Sequence, residues 1–278
     1  MTAGILVEGV GKTFHPQEGR AGTPVRALEG IDMVLPEGAF VAVVGPSGCG
    51  KSTLLRMLAG LLPCEEGRIA VMGRAVEGPV TDIGVVFQKP VLLPWRDVLG
   101  NVMLQLELRG RDARAELPRA ERLLAAVGLD GFASSYPHAL SGGMQQRASI
   151  VRALVHDPPL LLMDEPFGAL DALTREQLRI DLEQLWLESG KTVLFITHSI
   201  DEAVLLADEV LVMTPRPGRI ERRVDVPIPR PRGLDGRSHP VFRTIVDEVT
   251  RIFLDKGVLH GTGERASLLG AQSGGKGS

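Results

Sequence analysis

The stretch Phe40–Thr53, FVAVVGPSGCGKST, decides the fold. Phe40 to Val44 is a short, unbroken apolar run, the pattern of a strand buried on both faces of a parallel sheet. It ends at Gly45, where G-x-x-x-x-G-K-[ST] runs to Ser52, and LLRMLAG then opens a helix. The glycines let backbone N–H groups curl around phosphate oxygens, and Lys51 brings a positive charge to the β- and γ-phosphates. The Ser52 hydroxyl suits Mg²⁺, and the helix N-terminus favours an anion. Strand, glycine loop and helix in this order predict an α/β nucleotide-binding protein.

Three further runs have the same character. Ile83 to Phe87 ends at Gln88, Leu160 to Met163 ends at Asp164, and Val193 to Thr197 ends at His198. Ligands of open parallel sheets bind at the carboxyl ends of the strands, so these residues are expected to meet the glycine loop at one site. Asp164 can hold Mg²⁺ through its water shell, and Glu165 is placed to orient or deprotonate an attacking water. Ile5 to Phe14 and Val25 to Leu35 suit strands joined by a surface loop from His15 to Pro24. Helical patterns cover Leu117 to Val127, Asp171 to Leu187 and Ser199 to Ala207.

Leu140 to Arg147, LSGGMQQR, separates this chain from other phosphate-loop enzymes. Ser141, Gly142 and Gly143 put a hydroxyl and open N–H groups at a second helix N-terminus, itself an anion site. Two phosphate-binding ends on one chain make sense if the second serves another copy. With these motifs the sequence resembles the ATP-binding cassette (ABC) family of transport ATPases from about Ile5 to Ile220. GPSGCGKST matches Walker A, Gln88 the Q-loop and LSGGMQQR the signature. LLLMDEP matches Walker B, GALD (Gly168 to Asp171) the D-loop, and His198 the switch histidine.

The resemblance implies an α/β P-loop NTPase of the ABC ATPase fold. That fold has a RecA-like parallel-sheet core, an antiparallel β subdomain and a helical signature-motif subdomain, here about 90–157 within a cassette of residues 1–225. It implies ATP with Mg²⁺, two of them sandwiched in a head-to-tail homodimer. One wall is Gly45, Pro46, Ser47, Gly48, Cys49, Gly50, Lys51, Ser52 and Thr53 with Asp164; the opposite copy supplies Ser141, Gly142, Gly143 and Asp171. By the same resemblance Glu165 is the catalytic base and His198 contacts the γ-phosphate. Gln88 senses Mg²⁺ and the lytic water, while Ser52, Gln88 and (through water) Asp164 surround the metal. The adenine-stacking tyrosine is absent; Phe14 stands at the matching place, with His15 as the alternative and core packing as the other reading of Phe14.

The segment KPVLLPWRDVLGNV after Gln88, with TPRPGRI at Thr214 to Ile220, looks like the nitrate, sulfonate and taurine importers. Leu92, Leu93 and Trp95 are then expected against a permease, with local packing as the alternative. The expected role is ATP-driven uptake of a sulfonate, taurine or nitrate through transmembrane permease subunits, served indirectly by an extracytoplasmic solute-binding protein. The ATPase would lie at the cytoplasmic face of the inner membrane as a peripheral subunit.

Composition agrees. A formal charge of -3 gives no basic footprint, so no nucleic-acid partner is expected. The two cysteines, Cys49 and Cys64, build no disulfide framework, no apolar stretch approaches the ~20 residues of a membrane span, and no export signal is visible. A soluble phosphotransferase would have no use for LSGGMQQR, and the nucleic-acid cassettes carry coiled-coil insertions or a second cassette. After Glu221 a proline- and arginine-rich connector, VDVPIPRPRG, leads to a helical pattern from Pro240 to Leu254. Residues 226–260 thus read as a helical extension and 261–278 as a Gly/Ser-rich tail.

Overall fold

The structure, a computed structural model, describes residues 3–16 and 22–259; the middle of the His15–Pro24 loop and the tail at 261–278 lie outside the described residues. The chain runs β1 (Ala3–Phe14), β2 (Val25–Pro36), β3 (Phe40–Val44), α1 (Lys51–Leu58), β4 (Glu66–Val71), β5 (Arg74–Ala75) and β6 (Ile83–Val86). Three helices follow, α2 (Val98–Glu107), α3 (Ala113–Ala126) and α4 (Gly142–Leu154). It then returns through β7 (Leu160–Asp164), α5 (Ala172–Ser189), β8 (Thr192–Thr197), α6 (Ile200–Leu206), β9 (Glu209–Met213), β10 (Ile220–Asp225) and α7 (Pro240–Asp255).

The apolar runs form one sheet of order β10-β9-β3-β8-β7-β6, parallel except for the β10 edge. Alternate residues enter two separate cores. Phe40, Ala42 and Val44 join Leu161, Met163, Val193 and Phe195 under the helices, while Val41 and Val43 join Leu160, Leu162, Leu194 and Ile196 on the other face. Both faces are covered, so the strands read as continuous apolar runs. The second face carries α1 and an antiparallel sheet of order β2-β1-β4-β5.

The helical lobe of α2, α3 and α4 hangs beyond β6. Asn101, fully buried in α2, clips the loop before it: its Nδ2 donates to the carbonyls of Leu93, Arg96 and Asp97, and its Oδ1 accepts from the Leu93 N–H at 2.7 Å. This clip splits the cluster expected against a permease. Leu92 packs on the helical core and Leu93 is half-buried, whereas Trp95 stays exposed, as does the neighbouring Val91, which was not part of that cluster.

The C-terminal connector is docked rather than free. Val226 and Ile228 belong to the helix-side core, and so do Phe242, Ile245, Val249 and Phe253, spaced three and four apart along one stripe of α7. Among the described residues no helix is long and apolar enough to cross a membrane.

Candidate nucleotide site

The loop after β3 is shaped by its glycines. Gly48 (φ 76°) and Gly50 (φ 108°) lie in the left-handed region. A Cβ on Gly50 would stand 2.6 Å from Leu28 Cδ2 and 3.0 Å from the Ala27 carbonyl oxygen. Lys51 is buried under the loop, donating to the carbonyls of Gly45 (2.8 Å) and Pro46 (3.1 Å). Ser52 Oγ donates to Asp164 Oδ1 at 2.9 Å, joining the first turn of α1 to the end of β7. Burial pushes the Asp164 carboxyl up, and the Ser52 hydroxyl opposes that.

Glu165 follows with φ 45°, a left-handed backbone that disfavours a side chain by about 1–2 kcal/mol. Its N–H donates to the Ile196 carbonyl of β8 at 2.9 Å, and its carbonyl accepts from the Gly168 N–H at 3.1 Å. Held in that way, the carboxylate gathers a glutamine just past β6, the histidine after β8 and the lysine that opens α1. Oε2 is 3.3 Å from Gln88 Nε2 and 3.4 Å from His198 Nδ1, and Oε1 is 3.8 Å from Lys51 Nζ.

A cleft of about 460 Å³ opens over this group, lined by Phe14, Ser47, Gly48, Lys51, Ser52, Thr53, Gln88 and Glu165 among others. Phe14 lines the cleft and His15 does not; its ring is 41% exposed, with Lys12 Nζ 5.8 Å from the centroid. Cys49 points away, buried against the core, and burial pushes its thiol up, opposite to what a reactive thiolate needs.

Ser141, Gly142, Gly143 and Asp171 do not line the cleft of their own chain. Ser141 caps α4, its Oγ accepting from the Met144 N–H at 3.3 Å. Asp171 caps α5 through the Thr174 N–H at 3.1 Å, and that bond holds its carboxyl below the usual range. The first turns of the two helices lean together: a Cβ on Gly143 would stand 2.4 Å from Thr174 Cγ2.

Sequence reasoning missed two groups here. Thr197 Oγ1 donates to the buried Glu202 at 2.5 Å and accepts from the Ser199 N–H at 3.0 Å, bracing the turn that carries His198. Arg216, within TPRPGRI, lines the cleft and donates to the Gly48 carbonyl. The signal for the first was Thr197 and Glu202 either side of His198; none pointed to the second.

A glycine loop, an acidic strand end and a carboxylate met by glutamine and histidine thus come together at one cleft. The ABC transporter family model matches residues 28–168, just over half of the chain. The chain belongs to the ABC transporter family. The taurine import ATP-binding protein TauB of Rhizobium johnstonii is 49% identical over 248 residues, covering 87% of this chain and 92% of that protein. An uncharacterized ABC transporter ATP-binding protein of Methanocaldococcus jannaschii is 48% identical over 232 residues, 84% of this chain and 85% of its own. Among solved structures, a dimer of the cassette MJ0796 in a post-hydrolysis state with ADP and Pi superposes with a TM-score of 0.69 at 32% identity. It covers 80% of this chain and 98% of its own. The ABC fold and an ATP-hydrolysing transport ATPase follow from these likenesses.

Proposed function

We propose that this chain is the ATPase subunit of an importer for taurine or a closely related sulfonate, working as a head-to-tail homodimer with ATP at the shared interface. The convergence of Gln88, Lys51 and His198 on Glu165 supports the chemistry, and the relatives named for taurine import favour sulfonates over nitrate as cargo.

Adenine stacks on Phe14 and the phosphates enter the loop from Gly45 to Thr53. Lys51 leaves the Gly45 and Pro46 carbonyls for the β- and γ-phosphates. Glu165 holds the attacking water and takes its proton, His198 contacts the γ-phosphate, and Gln88 reads the water's position. Ser141, Gly142, Gly143 and Asp171 of the second copy close over the γ-phosphate, adding a helix N-terminus to the preorganised donors.

Ser52 Oγ and Asp164 Oδ1, 2.9 Å apart at the mouth of β7, are the hard oxygen donors that Mg²⁺ prefers, and Gln88 lines the same cleft as Ser52. Bound there, the ion would offset charge on the phosphates. Of the cluster Leu92, Leu93 and Trp95, the exposed Trp95 faces a permease, and residues 1–225 form the cassette with 226–260 as its extension. The subunit sits peripherally on the cytoplasmic face of the inner membrane; a solute-binding protein on the far side acts only through the permease.

Glu165→Gln is expected to lower turnover by about 10²–10⁴-fold, the range of a lost general base, while ATP still binds and drives dimer formation in light scattering. A variant that stays monomeric with ATP overturns the shared site. A deletion strain complemented by the wild type should grow on taurine as sole sulfur source and fail with Glu165→Gln, growing on sulfate in both cases. Growth on taurine without the gene would remove the sulfonate reading and leave the ATPase intact.

A further inference from the structure

TPRPGRI, a marker of likeness in the sequence, is the connector between β9 and β10, and it closes on the phosphate loop. Gly218 makes that approach possible: a Cβ there would stand 2.0 Å from the Cys49 carbonyl oxygen and 2.8 Å from Met213 Cε. The connector is tied down by hydrogen bonds at both ends. The Gly218 N–H donates to the Ala27 carbonyl at 2.9 Å, the Glu29 N–H to the Gly218 carbonyl at 3.0 Å, and the Arg219 N–H to Thr214 Oγ1 at 3.0 Å. Ala27 in turn abuts Gly50, so the phosphate loop lies between β2 and this connector.

From that base Arg216 reaches back to the loop. Its Nε (3.1 Å) and Nη2 (2.9 Å) both donate to one acceptor, the Gly48 carbonyl. In a loop whose N–H groups turn toward an anion, the carbonyls turn outward, and the loop keeps its shape only if they are held. Here three are held by cations: Gly45 and Pro46 by Lys51, Gly48 by Arg216. Lys51 is the cation that moves to the phosphates, which leaves Arg216 as the fixed one. We propose that Arg216 is a positioning residue that braces the phosphate loop from its carbonyl side, keeping the loop's N–H groups aimed at the phosphates after Lys51 has left. This rests on the reading of the loop as the triphosphate site.

The test is equilibrium binding of ATP and of inorganic tripolyphosphate to the full chain, for the wild type, Arg216→Ala and Arg216→Lys. A brace predicts that Arg216→Ala weakens both ligands by the same factor, about 10-fold for a charge-assisted hydrogen bond. Arg216→Lys should recover most of the loss, and kcat at saturating ATP should stay within about twofold while KM rises. The ratio of wild-type to Arg216→Ala affinity should also hold from low to high salt, because an ion pair made directly with the phosphates would be screened. Loss for ATP with tripolyphosphate unchanged, a ratio that collapses in salt, or no loss at all overturns the brace. If the wild type binds neither ligand, the triphosphate reading falls as well, a distinct result.

Discussion

Two segments of the same composition in different order, PRPGR at Pro215–Arg219 and PRPRG at Pro229–Gly233, do different work. In the first, Arg216 is exposed and shares one carbonyl, Gly48, at the edge of the nucleotide cleft. In the second, Arg232 is 3% exposed and donates to four carbonyls, those of Val204, Ala207, Val226 and Ile228 at 2.7 to 3.2 Å. Its own N–H donates to Glu183 Oε1 at 2.8 Å. Arg230 reaches the Leu206 carbonyl and lies 4.3 Å over the Trp186 ring. Three of these carbonyls close the C-terminus of α6, where unpaired acceptors and the negative end of the helix dipole both favour a cation. An arginine saturated with carbonyls holds the fold together, and one sharing a single loop carbonyl beside a cleft tunes a ligand site.

Arg232 carries the largest expected effect. Burial pulls its guanidinium down to about 10, with Arg230 adding to the fall, so it remains charged at neutral pH. Arg232→Ala strands four buried acceptors and unfastens the connector from α6; breaking such a buried charged group is expected to reduce stability by about 3–5 kcal/mol in urea unfolding. Arg216→Ala is expected to change it by no more than about 0.5 kcal/mol. Equal losses would erase the distinction between the two segments.

Arg230 sharpens the contrast from inside the second segment. It stacks on Trp186 and pairs with Asp208 at 2.9 Å, but Asp208 is partly exposed. Arg230→Ala should therefore reduce stability by less than Arg232→Ala, about 1–3 kcal/mol, combining a cation–π contact with charged hydrogen bonds. Arg230→Lys should restore little, because lysine lacks the planar fork that both stacks and reaches Leu206. Full rescue by lysine would reduce the contribution to charge alone.

What could be read in advance follows from where side-chain identity alone fixes a role. The four apolar runs and the residues that end them were legible because doubly buried strands and phosphate loops leave sharp patterns. Glu66–Val71 was not legible as a strand: EGRIAV buries only Ile69 and Val71 and exposes charge on its other face. Ile220–Asp225, an edge strand with three consecutive charged residues, Glu221 to Arg223, was missed for the same reason. Asn101 appeared only as a letter in a likeness, since its three carbonyl partners are brought together by a loop fold with no periodic signal. Proline and arginine in 224–233 marked a connector but not its burial, because part of what holds its arginines, the carbonyls of Val204, Leu206 and Ala207 at the end of α6, is distant in sequence.

The smallest effect concerns the outer edge of the second clasp, where Glu176 of α5 lies between two guanidiniums. Its Oε1 is 2.7 Å from Arg179 Nη2 and 2.8 Å from Arg237 Nη1, and Oε2 is 3.0 Å from Arg237 Nη2. Burial pushes this carboxyl up, but the hydrogen bonds and charges of Arg237 and Arg179 outweigh it and hold it at about 2, against an ordinary 4.5. A folded value below the unfolded one means stability present above pH 4.5 and lost as pH falls from there toward 2. Glutamine keeps one acceptor oxygen for both guanidiniums and turns an NH2 toward Arg237, which is partly solvated, so Glu176→Gln should cost only about 1 kcal/mol at pH 7. Measured across pH, the gap between variant and wild type should be constant from 7 to about 5 and close as the wild-type carboxylate takes up its proton. A gap that persists unchanged at pH 2 would mean that shape, not charge, fastens α5 to the segment before α7, and would align this edge with the neutral packing of Phe242 and Ile245 rather than with the arginine clasp beside it.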